Sequence, residues 1–267
     1  MASVRLDAAV AARGLARSRT HAARLISNGY VRVDGTPVVK ASFPVTDDQA
    51  VTVDSVDRYV SRGAHKLIAA LDSFAGVAVD GRLALDAGAS TGGFTQVLLE
   101  RGARRVIAAD VGHDQLDPLI ARDPRVAVVE GFNLRYATPE TLAGASGVQE
   151  PVDLVVADLS FISLGLVLEP LQSVARPDAD FVLLIKPQFE VGRTGVREGI
   201  VRDPILRADA VSNVLWAAYD RGLSTAGLIP SPIAGGSGNL EYLVWFNRDV
   251  GEHPTEWLNR VTEMTGA

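Results

Sequence analysis

Leu85-Asp86-Ala87-Gly88-Ala89-Ser90-Thr91-Gly92-Gly93-Phe94-Thr95 is the stretch that decides the fold. An apolar run enters a glycine-rich turn, and a helical segment, residues 94–100, leaves it. Glycine lets the backbone turn sharply there and approach a ligand closely. Working outward, strand-like apolar runs recur at residues 83–85, 105–109, 126–129, 154–156, 181–185, 228–230 and 242–246, with helical segments between them. Residues 67–74 read as the helix before the first run, residues 254–264 as a terminal helix, and Trp216 and Trp245 as core. The alternation predicts an α/β fold with a seven-stranded, mostly parallel sheet covered on both faces. Ligands of such sheets sit beyond the carboxyl ends of the strands, so polar residues ending strands are the site candidates.

Three readings of the glycine turn compete. The dinucleotide fingerprint G-x-G-x-x-G is absent, because Ser90 holds the second glycine position. Gly88-Ala89-Ser90-Thr91-Gly92 matches the G-x-S-x-G nucleophile elbow, and His253 follows the last strand, where a hydrolase could keep its base. An elbow normally follows several strands and an oxyanion loop, whereas this turn follows the first strand. The third reading fits better: the stretch resembles the S-adenosylmethionine turn of class I, Rossmann-like methyltransferases. Asp110 ends the next strand, where a carboxylate can accept both ribose hydroxyls of a nucleoside. Asn133 follows the third strand, in place to face an adenine, and Asp158 ends the fourth. The expected cofactor site is Asp86, Gly88, Ala89, Ser90, Thr91, Gly92, Gly93, Phe94, Asp110, Val111, Asn133 and Asp158.

The amino-terminal stretch differs in kind. Residues 1–46 hold seven basic side chains against Asp7 and Asp34, on a chain whose formal net charge is −6. A basic module on an acidic body suits a polyanion held by one end. Residues 6–13 read as a short helix ended by Gly14, and Ser18 as the N-cap of a second helix, residues 19–27, closed by Asn28-Gly29. Ala22, Leu25 and Ile26 form its inner stripe. Tyr30-Val31-Arg32-Val33, the Asp34-Gly35 pair and Thr36-Pro37-Val38-Val39 make a hairpin signal, with Val51-Thr52-Val53 as a third strand. Helix, helix and hairpin, studded with arginine, resemble the S4 RNA-binding domain. The resemblance implies a small α+β domain touching structured RNA through Arg17, Arg19 and Arg24, with Arg5, Arg13 and Lys40 beside them. The domains expected are residues 1–57, a linker at 58–63 and a methyltransferase domain at 64–267.

Lys186 follows a buried apolar run and begins Lys186-Pro187-Gln188-Phe189-Glu190. A lysine at the mouth of a buried strand is costly unless paired or used. Lys66 lies in Arg62-Gly63-Ala64-His65-Lys66-Leu67, just before the first helix, and Glu241 in Gly238-Asn239-Leu240-Glu241-Tyr242. Lys66, Asp158, Lys186 and Glu241 resemble, in order, the lysine–aspartate–lysine–glutamate set of ribose 2′-O-methyltransferases. With the S4-like module and Asp158-Leu159-Ser160-Phe161-Ile162-Ser163, the chain resembles the TlyA family throughout. That resemblance implies methylation of cytidine 2′-hydroxyls in ribosomal RNA of one or both subunits, with S-adenosylmethionine as cofactor. It makes Lys186 the general base, Lys66 the residue that orients the hydroxyl and lowers the affinity of Lys186 for its proton, and Asp158 and Glu241 the partners of the two amines. Some relatives carry an Arg-Ala-Trp-Val linker where this chain has Asp57-Arg58-Tyr59-Val60. The glycines and arginines of residues 192–199 read as a mobile loop near RNA, and Phe161 as lining the target pocket.

Composition narrows the class. Hydrophobic residues make up 47% of the 267 and charged residues 22%, enough apolar material for a sizeable core and a small satellite domain. No cysteine is present and the four histidines are scattered, so neither a disulfide scaffold nor a zinc site is expected. Asp153, Asp158 and Glu169 interrupt the longest apolar candidate, and the first residues lack a signal-type apolar core. A cytoplasmic monomer acting on ribosomal RNA or ribosomal subunits, without membrane or metal, is the expectation. A non-catalytic RNA-binding assembly factor would need the basic module alone. A membrane-lytic, haemolysin-like protein would need an apolar span or a cationic amphipathic helix.

Overall fold

Asp34 and Gly35 both take positive φ, 48° and 79°, the backbone a two-residue hairpin loop requires. They join β2 (Val31–Val33) to β3 (Thr36–Pro37), and β5 (Val51–Val53) pairs antiparallel along the other side of β2. In the computed structural model, residues 3–16, 18–27, 29–53, 59–192 and 198–267 are described. The chain divides into two compact units, Met1–Arg62 and Gly63–Ala267. Arg17, Asn28, the Asp57-Arg58 part of the expected linker and residues 193–197 lie outside the described residues.

The small unit opens with β1 (Val4–Arg5), which pairs with β4 (Pro44–Val45), a pairing too short for the apolar pattern to announce. Between β1 and β2 lie α1 (Leu6–Ala12) and α2 (Arg19–Ser27). Ser18 Oγ accepts from His21 N–H at 3.1 Å, the expected N-cap. Ala22, Leu25 and Ile26 pack with Leu6, Val10, Val31 and Val51 in one small core.

The large unit begins with α3 (Ala64–Ser73) and then alternates strand and helix. In order come β6 (Leu83–Ala87), α4 (Gly93–Glu100), β7 (Arg105–Ala109), α5 (Pro118–Ala121), β8 (Val126–Val129), α6 (Pro139–Ser146), β9 (Val152–Ala157) and α7 (Leu168–Val174). They are followed by β10 (Ala175–Ile185), α8 (Pro187–Glu190), α9 (Pro204–Tyr219), β11 (Ser224–Pro230), β12 (Tyr242–Asn247) and α10 (Leu258–Thr265). The seven strands line up as β11-β12-β10-β9-β6-β7-β8. From β10 to β8 all neighbours are parallel, while β12 runs antiparallel to both β10 and β11. Ile185 at the end of β10 lies opposite Tyr242 at the start of β12. All seven predicted strands are present, each built around an apolar stretch that is mostly buried, although Val128 of β8 and Pro230 of β11 are exposed.

Two sequence expectations change. Lys66 sits in the first turn of α3 rather than before it. Trp216 is not core: it is 37% exposed, because the inward stripe of α9 is Val211, Val214, Leu215 and Ala218, and Trp216 falls off it. Trp245 is half-buried, its ring over Gly76 and beside Phe74. Among the described residues no helix is long and apolar enough to cross a membrane.

Candidate active site

The turn after β6 is shaped by its glycines. Gly88 takes φ +84°, and a Cβ there would stand 3.0 Å from Leu159 and 3.1 Å from the carbonyl oxygen of Asp158. Gly92, at φ +93°, backs onto Leu116 and Ile120. Ser90 between them takes φ +47°, a conformation that a non-glycine residue adopts only when its surroundings hold it. The hold comes from Asp110: its Oδ2 accepts from Ser90 N–H and its Oδ1 from Gly112 N–H, each at 2.8 Å.

These residues border a cavity of about 470 Å³ at the carboxyl ends of β6, β7, β8 and β9. Gly88, Ser90, Asp110, Val111, Asn133 and Asp158 of the predicted cofactor set line it. Asn133 also caps the turn Leu134–Tyr136, its Oδ1 accepting from Arg135 N–H at 3.1 Å. Ala89, Thr91, Gly92, Gly93 and Phe94 shape the turn without lining the cavity. Asp86 lies beneath them, fully buried, with Oδ2 accepting from Thr95 Oγ1 at 2.6 Å and Oδ1 unpartnered. Burial, with the nearby charges of Asp158 and Asp110, pushes its carboxyl up to about 7 against the opposing pull of Thr95.

Beside the cavity the four charged side chains expected to act together do meet. Lys186 Nζ lies 2.6 Å from Oδ1 of Asp158, and Lys66 Nζ lies 3.1 Å from Oδ2 of the same carboxylate and 2.8 Å from Oε2 of Glu241. Lys66, Lys186 and Glu241 are buried, and Asp158 is the member that reaches the cavity surface. Burial alone would raise the Asp158 carboxyl, but the ammonium groups of Lys66 and Lys186 outweigh it and hold the group below the usual carboxylate range. Gly235 allows the close approach of Glu241, since a Cβ there would come within 2.6 Å of Oε1.

Sequence reasoning missed several partners. Lys186 Nζ donates to Ser160 Oγ at 2.8 Å. Phe132, Gln115 and Leu159 complete the cavity wall. Phe161, expected at the target pocket, does line the cavity; it is 91% exposed and takes φ +65°. No local pattern announces the roles of Ser160, Phe132, Gln115 and Leu159, which arise from loops meeting across the sheet. His253, the conceivable hydrolase base, packs its ring on Tyr219 and Trp216 and is not among the cavity residues that include Ser90.

In the small unit the predicted basic residues divide. Asp7 gathers Arg5 in a two-pronged pair at 3.1 Å and Arg19 at 3.1 Å, leaving both arginines more than half exposed. Arg13 donates to the carbonyls of Gln49 and Thr46, so it braces a loop. Arg24 is half-buried in the last turn of α2, and Lys40 is exposed.

The sequence model of the FtsJ-like methyltransferase family matches residues 59–248, and that of the S4 domain residues 4–51. A Mycobacterium tuberculosis protein, 16S/23S rRNA (cytidine-2′-O)-methyltransferase TlyA, is 54% identical over 244 residues, 90% of this chain and 88% of that relative. This chain belongs to the TlyA family. Hemolysin A of Brachyspira hyodysenteriae is 38% identical over 91% of this chain and 99% of its own. A solved structure from Streptococcus thermophilus, named as a hemolysin, matches with TM-score 0.74 and 34% identity, covering 100% of this chain and 98% of that one. As a TlyA-family methyltransferase the chain uses S-adenosylmethionine, and its residues fit that group. The space kept clear at Gly88, the Asp110 carboxylate fixed by two backbone N–H groups, and the Asn133 side chain suit a nucleoside with its ribose on Asp110.

Proposed function

We propose that this chain methylates the ribose 2′-oxygen of cytidine in ribosomal RNA. The observation that carries the proposal is the single carboxylate of Asp158, shared by Lys66 and Lys186 beside the donor cavity. When bound, S-adenosylmethionine supplies the methyl group from its sulfonium. Asp110 would take its ribose hydroxyls, Asn133 its adenine, and the Gly88 turn would let its chain lie close to the backbone.

A 2′-hydroxyl is barely acidic at neutral pH, so its proton must leave as the oxygen attacks. In this reading Lys186 Nζ, once it has released its own proton to solvent, accepts that proton. Lys66 donates to the 2′-oxygen and sets its direction. Asp158 aims both amines, and Glu241 holds Lys66 from the far side. Holding oxygen and methyl group in line supplies much of the remaining acceleration. Phe161, projecting at the cavity edge, offers a ring face to the target nucleotide.

The S4 unit would grip structured ribosomal RNA by phosphate contacts from Arg5, Arg17, Arg19, Arg24 and Lys40, with Arg13 acting through the loop it braces. The enzyme would act as a monomer in the cytoplasm, where ribosomal subunits are its substrate. Mapping 2′-O-methylated cytidines in rRNA from a host with the gene, without it, and with Lys186→Ala tests the whole reading. Sites that vanish without the gene and fail to return with the folded Lys186→Ala protein support it. Their return at wild-type level overturns the assignment of the base.

A further inference from the structure

The turn that carries Lys186 and the loop that carries Asp158 are joined at three successive places. At the first, Lys186 meets both Asp158 and Ser160. At the second, the rings of Phe189 and Phe161 pack with centroids 5.2 Å apart. Glu190 makes the third: its Oε2 accepts from Ser163 Oγ at 2.6 Å and its Oε1 from Leu164 N–H at 2.8 Å. A half-buried carboxylate is costly unless its oxygens find donors, and both donors here come from the opposing loop. Burial accordingly raises the Glu190 carboxyl, and these two donors pull it back. Between the first and third contacts sits Phe161, in a left-handed conformation that a bulky residue keeps only under external restraint.

We propose, resting on the reading of Lys186 as the base, that Glu190 is a positioning residue which clamps residues 158–164 onto the 186–190 turn and so fixes the Lys186 amine against Asp158. It touches neither donor nor RNA in this reading. Its effect reaches the chemistry through the placement of one nitrogen, where a displacement on the order of 1 Å can cost up to about a hundredfold in rate.

The test compares full-length Glu190→Ala, Glu190→Gln, Lys186→Ala and the Glu190→Ala/Lys186→Ala double variant on the same rRNA substrate. Glutamine keeps an oxygen for Leu164 N–H and offers an N–H to the Ser163 hydroxyl, so it preserves the clamp without the charge. Glu190→Ala is expected to lower kcat about tenfold or more. Glu190→Gln should restore most of that rate. In the Lys186→Ala background Glu190→Ala should cost nothing further, because a residue acting through Lys186 has nothing left to position.

A wild-type kcat in Glu190→Ala beside a strongly slowed but measurable Lys186→Ala overturns the clamp alone. So do equal losses in the alanine and glutamine variants, or losses that multiply in the double variant. A wild-type rate in Lys186→Ala removes the base assignment and the clamp together. If Glu190→Ala does not fold, Ser163→Ala removes one of the two arms and is judged by the same comparison, with a smaller loss of kcat expected.

Discussion

Asp158 holds Lys186 Nζ at 2.6 Å with one carboxylate oxygen and gives the other to Lys66. Two buried ammonium groups would repel each other, and one acid between them is what makes their proximity tolerable. Asp158→Asn should therefore cost about 3 kcal/mol of stability, read by denaturant unfolding, and lower methyl transfer by about two orders of magnitude. The native carboxyl lies below its ordinary value, so its contribution is present above the ordinary carboxylate range and is lost as pH falls through the lowered native pKa. The wild-type protein should lose stability on that acid limb, and Asp158→Asn should lack this part of the loss.

Asp86 predicts the opposite slope. Its native carboxyl is raised to about 7, whereas in the unfolded chain it titrates near ~3.9. Between those values the folded state binds more protons, so stability declines as pH rises from about 4 to about 7 and then levels. Thermal unfolding of wild type against Asp86→Asn across this range should show a flatter profile for the variant. Thr95→Val, which removes the one side-chain donor to Asp86, should destabilise by about 1–3 kcal/mol.

Asp110 ties two backbone N–H groups of two different turns. Asp110→Ala should weaken binding of S-adenosylmethionine by about tenfold or more, since it removes charge-assisted bonds and loosens the Ser90 conformation. Calorimetric titration with the donor reads the loss directly. Affinity for rRNA at a fixed salt concentration should stay within about twofold, because the basic residues of the small unit are untouched.

Asp7 organises an arginine pair and tests the small unit separately. Arg5, chiefly, and then Arg19 hold its carboxyl down to about 2 against the effect of burial. Its stabilisation should be present above the ordinary carboxylate range, near ~4, and be lost as pH falls through about 2. Hydrogen exchange of α1 and α2 amides in the full chain should be faster in Asp7→Asn than in wild type at pH 7. Near pH 2 the two should converge. Binding to rRNA should also weaken in this variant, as Arg5 and Arg19 lose a shared anchor.

The sequence made the large unit legible because each of its strands holds a short apolar run and its glycine turn has few physical uses. Asp110, Asn133 and Asp158 could be read as site residues because each follows the carboxyl end of a strand, Asp110 and Asp158 directly and Asn133 after a short loop, and the fold decides where such ends face. Asp86 shares that motif yet is sealed under the turn, since it lies inside its strand, level with Ala108 and Val156, two positions short of where Asp110 and Asp158 leave theirs. Ser160 and Glu190 were silent because their partners lie 26 residues or more away along the chain. Arg13 read as a phosphate contact like its neighbours, and only the folded loop reveals that its guanidinium is spoken for by two carbonyls.

The reversed direction of β12 has a consequence for how such a site can be assembled. Glu241 precedes its strand, whereas Lys186 follows its own, and they share one rim only because β12 descends where β10 climbs. Were β12 turned to run alongside β10, the acid would be carried to the opposite end of the sheet, roughly 20 Å away for a six-residue strand. A rearranged gene that kept every side chain but flipped this one segment would hold three-quarters of the charge cluster and leave Lys66 without its deeper counterion.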